Sequence, residues 1–400
     1  MTLPFLKSLF PPSCHDRVFL VGGTVRDMLL GRDSQDIDLV AALTQDELCA
    51  LGFRLVEPTS GATIYFRYHS ECGKIEVTRI DSRDSLKDDL LQRDFSVNAI
   101  AMDLSGREID PLGGRHDLKK RTLRACSATS FTDDPLRIFR AFRFETDGWR
   151  MTAETRALIR KQEWAAAFSA MPVERFSNEM LKALARREPD RFFHLMIEFG
   201  VGDEFLPELF RMPQIPAGPL QHHPEGDLFT HSIQVLQRIA AHSDDPLARF
   251  CALFHDLGKL TTDPALYPKH YGHDYAGFNI AVAFCNRLRL STDYRKALAW
   301  VSSLHGKANL WKTLRDSSKL KMAEQAFKGG IVEILPLIAA ADKAGGLPMT
   351  GWEDVVRIVR MTTAELGIEQ HVLEAKAVKN RAAFILQKRV EVLREMHVPS

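Results

Sequence analysis

The chain of 400 residues is short of the features that mark secreted, disulfide-stapled or membrane proteins. Its six cysteines, at positions 14, 49, 72, 126, 251 and 285, are scattered and form no CxxC pair. That spacing excludes a zinc ribbon and a disulfide framework, and it favours a reducing, cytoplasmic setting. No apolar run reaches membrane-spanning length. The stretch up to Cys14 carries one lysine, is interrupted by prolines and lacks both a continuous apolar core and a small-residue cleavage site, so export is not expected. A strong charge of one sign is also missing, since 53 Lys and Arg against 52 Asp and Glu leave a net charge of +1. A nucleic-acid partner would therefore have to be gripped by local basic stripes. There is no internal repeat and no low-complexity tract.

What remains is an ordinary globular composition, 45% hydrophobic and 26% charged, on a chain long enough for two or three domains. Short β-type runs alternate with helical segments up to about residue 125. Arg17 to Val21, Asp36 to Ala41, Thr63 to Tyr68, Lys74 to Ile80 and Ala99 to Asp103 are expected strands of a small mixed sheet. Beyond Pro135, apolar residues recur at three and four spacings, as in Leu136, Phe139, Phe142 and Leu158, which predicts helices. Pro213, Pro216 and Pro219 interrupt that pattern and mark an expected linker. The expected organisation is an α/β head over 1–125, an all-α neck over 126–212 and an all-α domain over 213–400, closing in an amphipathic helix from Lys376 to Glu395.

Chemistry enters at the segment from Phe19 to Gly31, an apolar strand followed by Gly22, Gly23 and a helix carrying Arg26 and Asp27. Glycines let backbone amides approach a bound group, and a helix N-terminus suits a phosphate chain. A glycine pair alone more often marks a tight turn. Asp36, Ile37, Asp38 and Leu39 follow, and alternation along a strand sends both aspartates to one face and the two apolar residues to the other. Two adjacent carboxylates repel unless a cation lies between them, and hard Mg²⁺ prefers such oxygen ligands together with substrate phosphates. Glu76, between Ile75 and Val77, offers a third carboxylate of the kind that two-metal displacement at phosphorus requires.

At this point the chain resembles the class II nucleotidyltransferases, which comprise the bacterial CCA-adding tRNA nucleotidyltransferases and related poly(A) polymerases. The double glycine, V-R-D, L-L-G and D-x-D of the first motif are present from Gly22 to Asp38. Arg93, Asp94, Phe95, Asn98 and Ala99 match the second, Asp110, Pro111, Gly113 and Gly114 a third, Asp134, Pro135, Arg137 and Arg140 the base-selecting one, and Arg175 to Glu179 a helical R-x-x-x-E element. The resemblance implies that Asp36, Asp38 and Glu76 are catalytic. It further implies that Arg93, Asp94 and Asn98 meet the ribose, that Asp134 and Arg137 select the base, and that Arg140 neutralises phosphate. Gln92 and Asp133 depart from the usual Arg and Glu, and Asp133 shortens a side chain expected to orient Arg137.

Arginines and lysines flank the base-selecting motif, among them Lys119, Lys120, Arg121, Arg124, Arg143, Arg150, Arg156, Arg160 and Lys161. They are candidates for contacts to a tRNA acceptor arm, or equally for a solvated helix face. The C-terminal half brings His231, the pair His255 and Asp256, His270, His273, His305 and Asp342. Imidazoles and carboxylates in this order suit a divalent transition metal and resemble the HD phosphohydrolases. That resemblance implies His231, His255, Asp256 and Asp342 as ligands, with His273 and His305 as candidates for a second ion.

The combined expectation is an Mg²⁺-dependent enzyme that adds CCA to tRNA 3′ ends from CTP and ATP, followed by an HD domain that is either vestigial or active as a phosphohydrolase towards RNA ends. A poly(A) polymerase, an enzyme adding only A or only CC, and an HD phosphohydrolase whose head merely binds nucleotide or RNA are the rival readings.

Overall fold

The computed structural model describes residues 2–32, 37–56, 64–70, 73–343, 345 and 348–396. Asp36 lies outside the described residues. Contacts divide the chain into two compact units, residues 1–164 and 165–400.

The first unit is built on a mixed sheet of seven strands: β1 (Val18–Leu20), β2 (Ile37–Ala41), β3 (Arg54–Val56), β4 (Ile64–His69), β5 (Gly73–Arg79), β6 (Ala101–Asp103) and β7 (Glu108–Ile109), in the order β3-β4-β5-β2-β1-β6-β7. Within this sheet, among the described residues, only β2 and β5 run parallel, and their register sets Ile37 beside Ile75, Asp38 beside Glu76 and Leu39 beside Val77. Alternation then sorts the two faces. Ile37, Leu39, Ile75 and Val77 enter one core with Leu6, Phe10, Val25 and Leu48, whereas Val40 and Phe19 face a second core with Leu86 and Leu90. Asp38 and Glu76 share that second face, and each remains partly exposed.

The predicted strands are present within a residue or two of their expected ends, and β3 and β7 are additional. The helix Leu136–Glu145, which the sequence reading placed in a separate neck, belongs to the first unit. The reason is aromatic packing: Phe95 makes edge contacts with Phe131 and Phe144, at 6.4 and 5.8 Å between centroids, and Phe144 a further one with Trp149.

The second unit is helical throughout its described residues, from the helix Ala165–Ser169 to the helix Val378–Met396. The proline-bearing stretch after Arg211 is not a linker. Met212, Ile215 and Ala217 are buried, and Pro216 bridges Asp227. Prolines end the helix Pro207–Arg211 and its 3₁₀ continuation Met212–Gln214, but proline keeps its carbonyl as an acceptor. His270 Nε2 lies 2.7 Å from Pro216 O, and Lys259 Nζ donates to Ala217 O at 2.7 Å.

Candidate active sites

In the head, Val21 amide donates to Asp38 O, and Asp38 amide donates to the buried Thr24 hydroxyl at 3.0 Å, which binds strand β2 to the helix Gly22–Leu29. Gly22 opens that helix at φ +68°, a left-handed value that favours glycine. A Cβ there would come within 3.1 Å of Arg93 Nη1 and 3.2 Å of Asp38 Oδ2, so the guanidinium and the carboxylate converge on the space glycine leaves. Glu76 stands next to Asp38 in the register, with its carboxylate paired to Lys74.

Around this corner runs a chain of charge-assisted hydrogen bonds. Arg26 lies against Asp27, at 2.9 and 3.0 Å, and donates from Nη1 to Asn98 Oδ1 at 2.8 Å. Asn98 Nδ2 donates to Asp94 Oδ1 at 2.8 Å, as does the Phe95 amide, while Arg140 donates to Asp94 Oδ2 at 2.9 and 2.7 Å. Asp94 is 7% exposed, and these bonds fill its carboxylate's capacity. Burial opposes its ionisation, but Arg140 and the other donors prevail and hold it at about 2. Arg93 is anchored by Asp89 at 2.9 and 3.1 Å.

Two sequence expectations change here. Asp134 lies just outside the helix Leu136–Glu145, and its Oδ1 accepts from the Leu136 amide. Asp133 bonds to the Thr129 hydroxyl, 2.9 Å away. Arg137 is held instead by backbone and hydroxyl oxygens: Gln92 O at 2.6 Å, Arg93 O, Ser130 O and Ser130 Oγ. The Gln92 side-chain departure therefore falls at a position whose visible contribution to Arg137 is a carbonyl that any residue supplies. The Asp110 motif is a cap, its two oxygens accepting from the Gly114 and Arg115 amides. Part of the basic stripe is engaged within the chain while staying exposed: Arg124 pairs with buried Asp117, and Arg121 and Arg150 donate to backbone carbonyls. Lys119, Lys120, Arg160 and Lys161 are exposed.

In the second unit the expected histidines and aspartates do converge. His231 comes from the helix Leu228–Ala240, His255 follows the helix Pro246–Phe254, His273 opens His273–Arg287, His305 lies on Thr292–Ala308, and Asp342 follows Ile334–Ala341. His231 Nε2 is 3.0 Å from Asp342 Oδ1 and 3.6 Å from Asp256 Oδ2, and His255 Nε2 is 3.4 and 3.2 Å from the same two atoms. These atoms are close without being hydrogen-bonded to one another: His231 Nε2, His255 Nε2 and Asp256 Oδ1 are buried without a hydrogen-bond partner, and Asp256 Oδ2 also forms an ion pair with Lys259. Buried polar atoms aimed at one another's common centre, not at one another, are the arrangement of a cation site.

The opposite ring nitrogens are engaged. His255 Nδ1 lies 2.8 Å from Ala252 O and His231 Nδ1 2.7 Å from Glu225 Oε1, so each ring is oriented with Nε2 inward. Burial opposes a charge on His255, but Asp256 and Asp342 prevail and lift it to about 10, while both carboxyls are held well below their ordinary range. Gly258 lets the helix His273–Arg287 close on this centre, since a Cβ there would sit 2.0 Å from His273 O.

Known families share both halves of this architecture. The poly A polymerase head domain matches residues 18–54 and 56–124, a probable RNA and SrmB-binding site of polymerase A matches 148–212, and the HD domain matches 228–335. A multifunctional CCA protein of Thioalkalivibrio sulfidiphilus is 35% identical over 84% of this chain and 86% of its own, and one of Methylococcus capsulatus is 34% identical over 77% and 76%. The chain belongs to the multifunctional CCA protein family. It is accordingly a nucleotidyltransferase-type enzyme. The fold of this family member also matches the Thermotoga maritima CCA-adding enzyme complexed with tRNA, with a TM-score of 0.66 at 20% identity over 96% of this chain and 88% of that one. It matches the Bacillus stearothermophilus CCA-adding enzyme in complex with CTP at a TM-score of 0.62, 23% identity, 99% and 93% coverage. No described helix is long and apolar enough to cross a membrane.

The sequence reading of this CCA family member passed over Glu225, Lys259, Asp274 and Asn309. Lys259 Nζ lies 2.7 Å from Asp256 Oδ2, and Asn309 donates to Asp342. A signal existed for Glu225, which sits in the run His223 to Asp227 just before His231. Asn309 had none, because its contact joins residues 33 apart across two helices.

Proposed function

We propose that this chain builds the CCA end of tRNA, with CTP and ATP as donors, the acceptor end as primer, and a cytoplasmic place of action. The observation that carries the reading is the convergence on Gly22: Asp38, in register with Glu76, and Arg93 flank the opening of a helix N-terminus. The multifunctional CCA relatives, and neighbours solved with tRNA and with CTP, support the choice of substrates.

The carboxylates of Asp38 and Glu76 are hard oxygen donors on one face of the sheet, a set that fits Mg²⁺, and Asp36 completes it in this proposal. When bound, Mg²⁺ supplies positive charge against the attacking hydroxyl, the α-phosphate and the leaving pyrophosphate. The chain's own residues do the placing. Amides at the start of the helix Gly22–Leu29 and the Arg93 guanidinium receive the triphosphate. Arg26, Asn98 and Asp94 form a rigid brace at the ribose, and Asp94 fixes Arg140 for phosphate contact. Arg137, locked by the Gln92 and Arg93 carbonyls, presents a fixed donor pattern to the base beside Asp134, so that the protein serves as its own template.

In the second unit we infer a metal-dependent phosphohydrolase. His231, His255, Asp256 and Asp342 fit a divalent transition metal, because two oriented imidazoles present buried nitrogens without hydrogen-bond partners beside two buried carboxylates.

Incubation with tRNA lacking its 3′ end and each labelled nucleotide, followed by sequencing of the ends, tests the transferase. The expected products end in C, CC and CCA, and Asp38→Ala abolishes them. Addition of A alone, or of a long A tract, would overturn the CCA reading.

A further inference from the structure

We propose that Ser130 is a positioning residue for nucleotide selection: its hydroxyl fixes Arg137 in the orientation that reads a base and ties that orientation to the turn that meets the ribose. This rests on the transferase reading above and deepens it at the same site.

The hydroxyl has little choice of arrangement. Ser130 is buried, at 0% exposure, and opens the short helix Ser130–Asp133. Its Oγ lies 3.2 Å from Asp94 O, which only accepts, so the hydroxyl hydrogen goes there. The lone pairs are left for Arg137, whose Nη1 donates to Ser130 Oγ at 3.1 Å and to the Ser130 carbonyl at 3.2 Å. Water cannot replace a partner lost at a buried site, so the bond to Oγ costs more to remove than a surface contact would.

Arg137 then keeps a defined remainder. Its Nη1 hydrogens are shared between Ser130 and Arg93 O, the latter at 3.3 Å, and Nη2 gives a hydrogen to Gln92 O at 2.6 Å. Among the described residues nothing takes Nε–H or the other Nη2–H, and these are the donors left for a base edge. Asp133, the residue expected from the sequence to orient this guanidinium, is exposed and accepts from the Thr129 hydroxyl instead. Ser130 does that work from the buried side.

The same hydroxyl couples the base reader to the ribose reader through Asp94. The Asp94 carbonyl accepts from Ser130 Oγ and, at 3.2 Å, from the Cys126 amide, while its carboxylate holds Asn98 and Arg140. The Ser96 amide donates to Arg124 O at 2.9 Å, and Phe95 and Ala125 form an antiparallel bridge. Residues 124–126 therefore lie along 94–96 as a short ribbon, and Ser130 is where a side chain joins that ribbon to Arg137.

Selection follows from the fixed orientation. Cytosine and adenine carry an exocyclic amine where uracil and guanine carry a carbonyl. The Asp134 carboxylate accepts from an amine and repels a carbonyl. A guanidinium free to turn would offer a donor to that carbonyl and lose the distinction. Ser130 thus protects the rejection of UTP and GTP more than nucleotide binding as such.

Single-nucleotide incorporation by the full chain, on tRNA lacking its 3′ end and on tRNA ending in CC, gives kcat/KM for CTP, ATP, UTP and GTP. Ser130→Ala is expected to narrow the CTP-over-UTP and ATP-over-GTP ratios about tenfold, the size of a lost hydrogen bond to a charged group. Ser130→Cys, which keeps the volume but offers a weak acceptor, is expected to do the same, and Asp133→Ala to leave both ratios unchanged. A merely structural role would lower every rate together with the melting temperature and keep the ratios intact, and that result overturns the assignment. So does a change of ratio in Asp133→Ala without one in Ser130→Ala. If the wild type adds A but no C, the CCA reading falls and the ATP-over-GTP ratio alone decides on Ser130; a wild type that incorporates nothing overturns both.

Discussion

Asp94 shows how a residue recognised by pattern takes its role from its neighbours. The motif pointed to a ribose contact, yet the carboxylate is spent on Arg140, Asn98 and the Phe95 amide. Its acidity, drawn from the ordinary 3.8 to about 2 in the folded protein, is a stability statement. A carboxyl whose folded value is depressed stabilises the protein above its unfolded value, and the contribution disappears as pH falls through the folded one. The expected gain is on the order of 2 kcal/mol, present above about pH 4 and lost towards pH 2. Denaturant titrations of the wild type and Asp94→Asn should show a gap that is constant from pH 7 to 5 and narrows below 4. A pH-independent gap would assign the effect to packing. The motif was enough to single out Asp94, but not to say that Arg137 rests on carbonyls, because a backbone acceptor leaves no trace in the sequence.

Among the elements, strand alternation was legible because it is local: Ile37 and Leu39 had to face away from Asp38, and they do. Strands β3 and β7 were not legible, being three exposed residues and two residues whose pairing partners supply the order. The proline-bearing stretch was misread because prolines predict the end of a helix, not whether the next residues are buried by long-range contacts. The turn before the helix Gly22–Leu29 allows a sharper test, since Gly22 and Gly31 have nearly the same φ, +68° and +69°. A Cβ at Gly31 meets nothing within 4 Å, whereas one at Gly22 meets Arg93 and Asp38. Alanine at either site should cost about 1–2 kcal/mol for the left-handed conformation. Nucleotide incorporation should fall sharply only for Gly22→Ala. Equal incorporation by both variants would show that Gly22 serves the turn alone, and would detach Arg93 and Asp38 from the nucleotide.

For the whole molecule, the two units differ in donor chemistry more than in anything composition reveals. Asp38 and Glu76 offer only oxygen, a set that holds a hard ion loosely and relies on substrate phosphates to complete it. His231, His255, Asp256 and Asp342 offer mixed nitrogen and oxygen in a nearly dry centre, a set that favours transition metals and releases them slowly. The sequence made both clusters visible because their ligands fall in ordered motifs, but their difference in burial comes only from the packing of helices far apart along the chain. Chelation followed by stepwise addition of metal should separate them. Mg²⁺ alone should restore CCA addition, while hydrolysis of a phosphate ester should return only with an ion such as Mn²⁺, Co²⁺ or Ni²⁺. His255→Ala should abolish the hydrolysis under every metal and leave nucleotide addition unchanged. Loss of both activities in that variant would mean that the His-Asp centre supports the transferase, and the division of chemistry between the units would have to be abandoned.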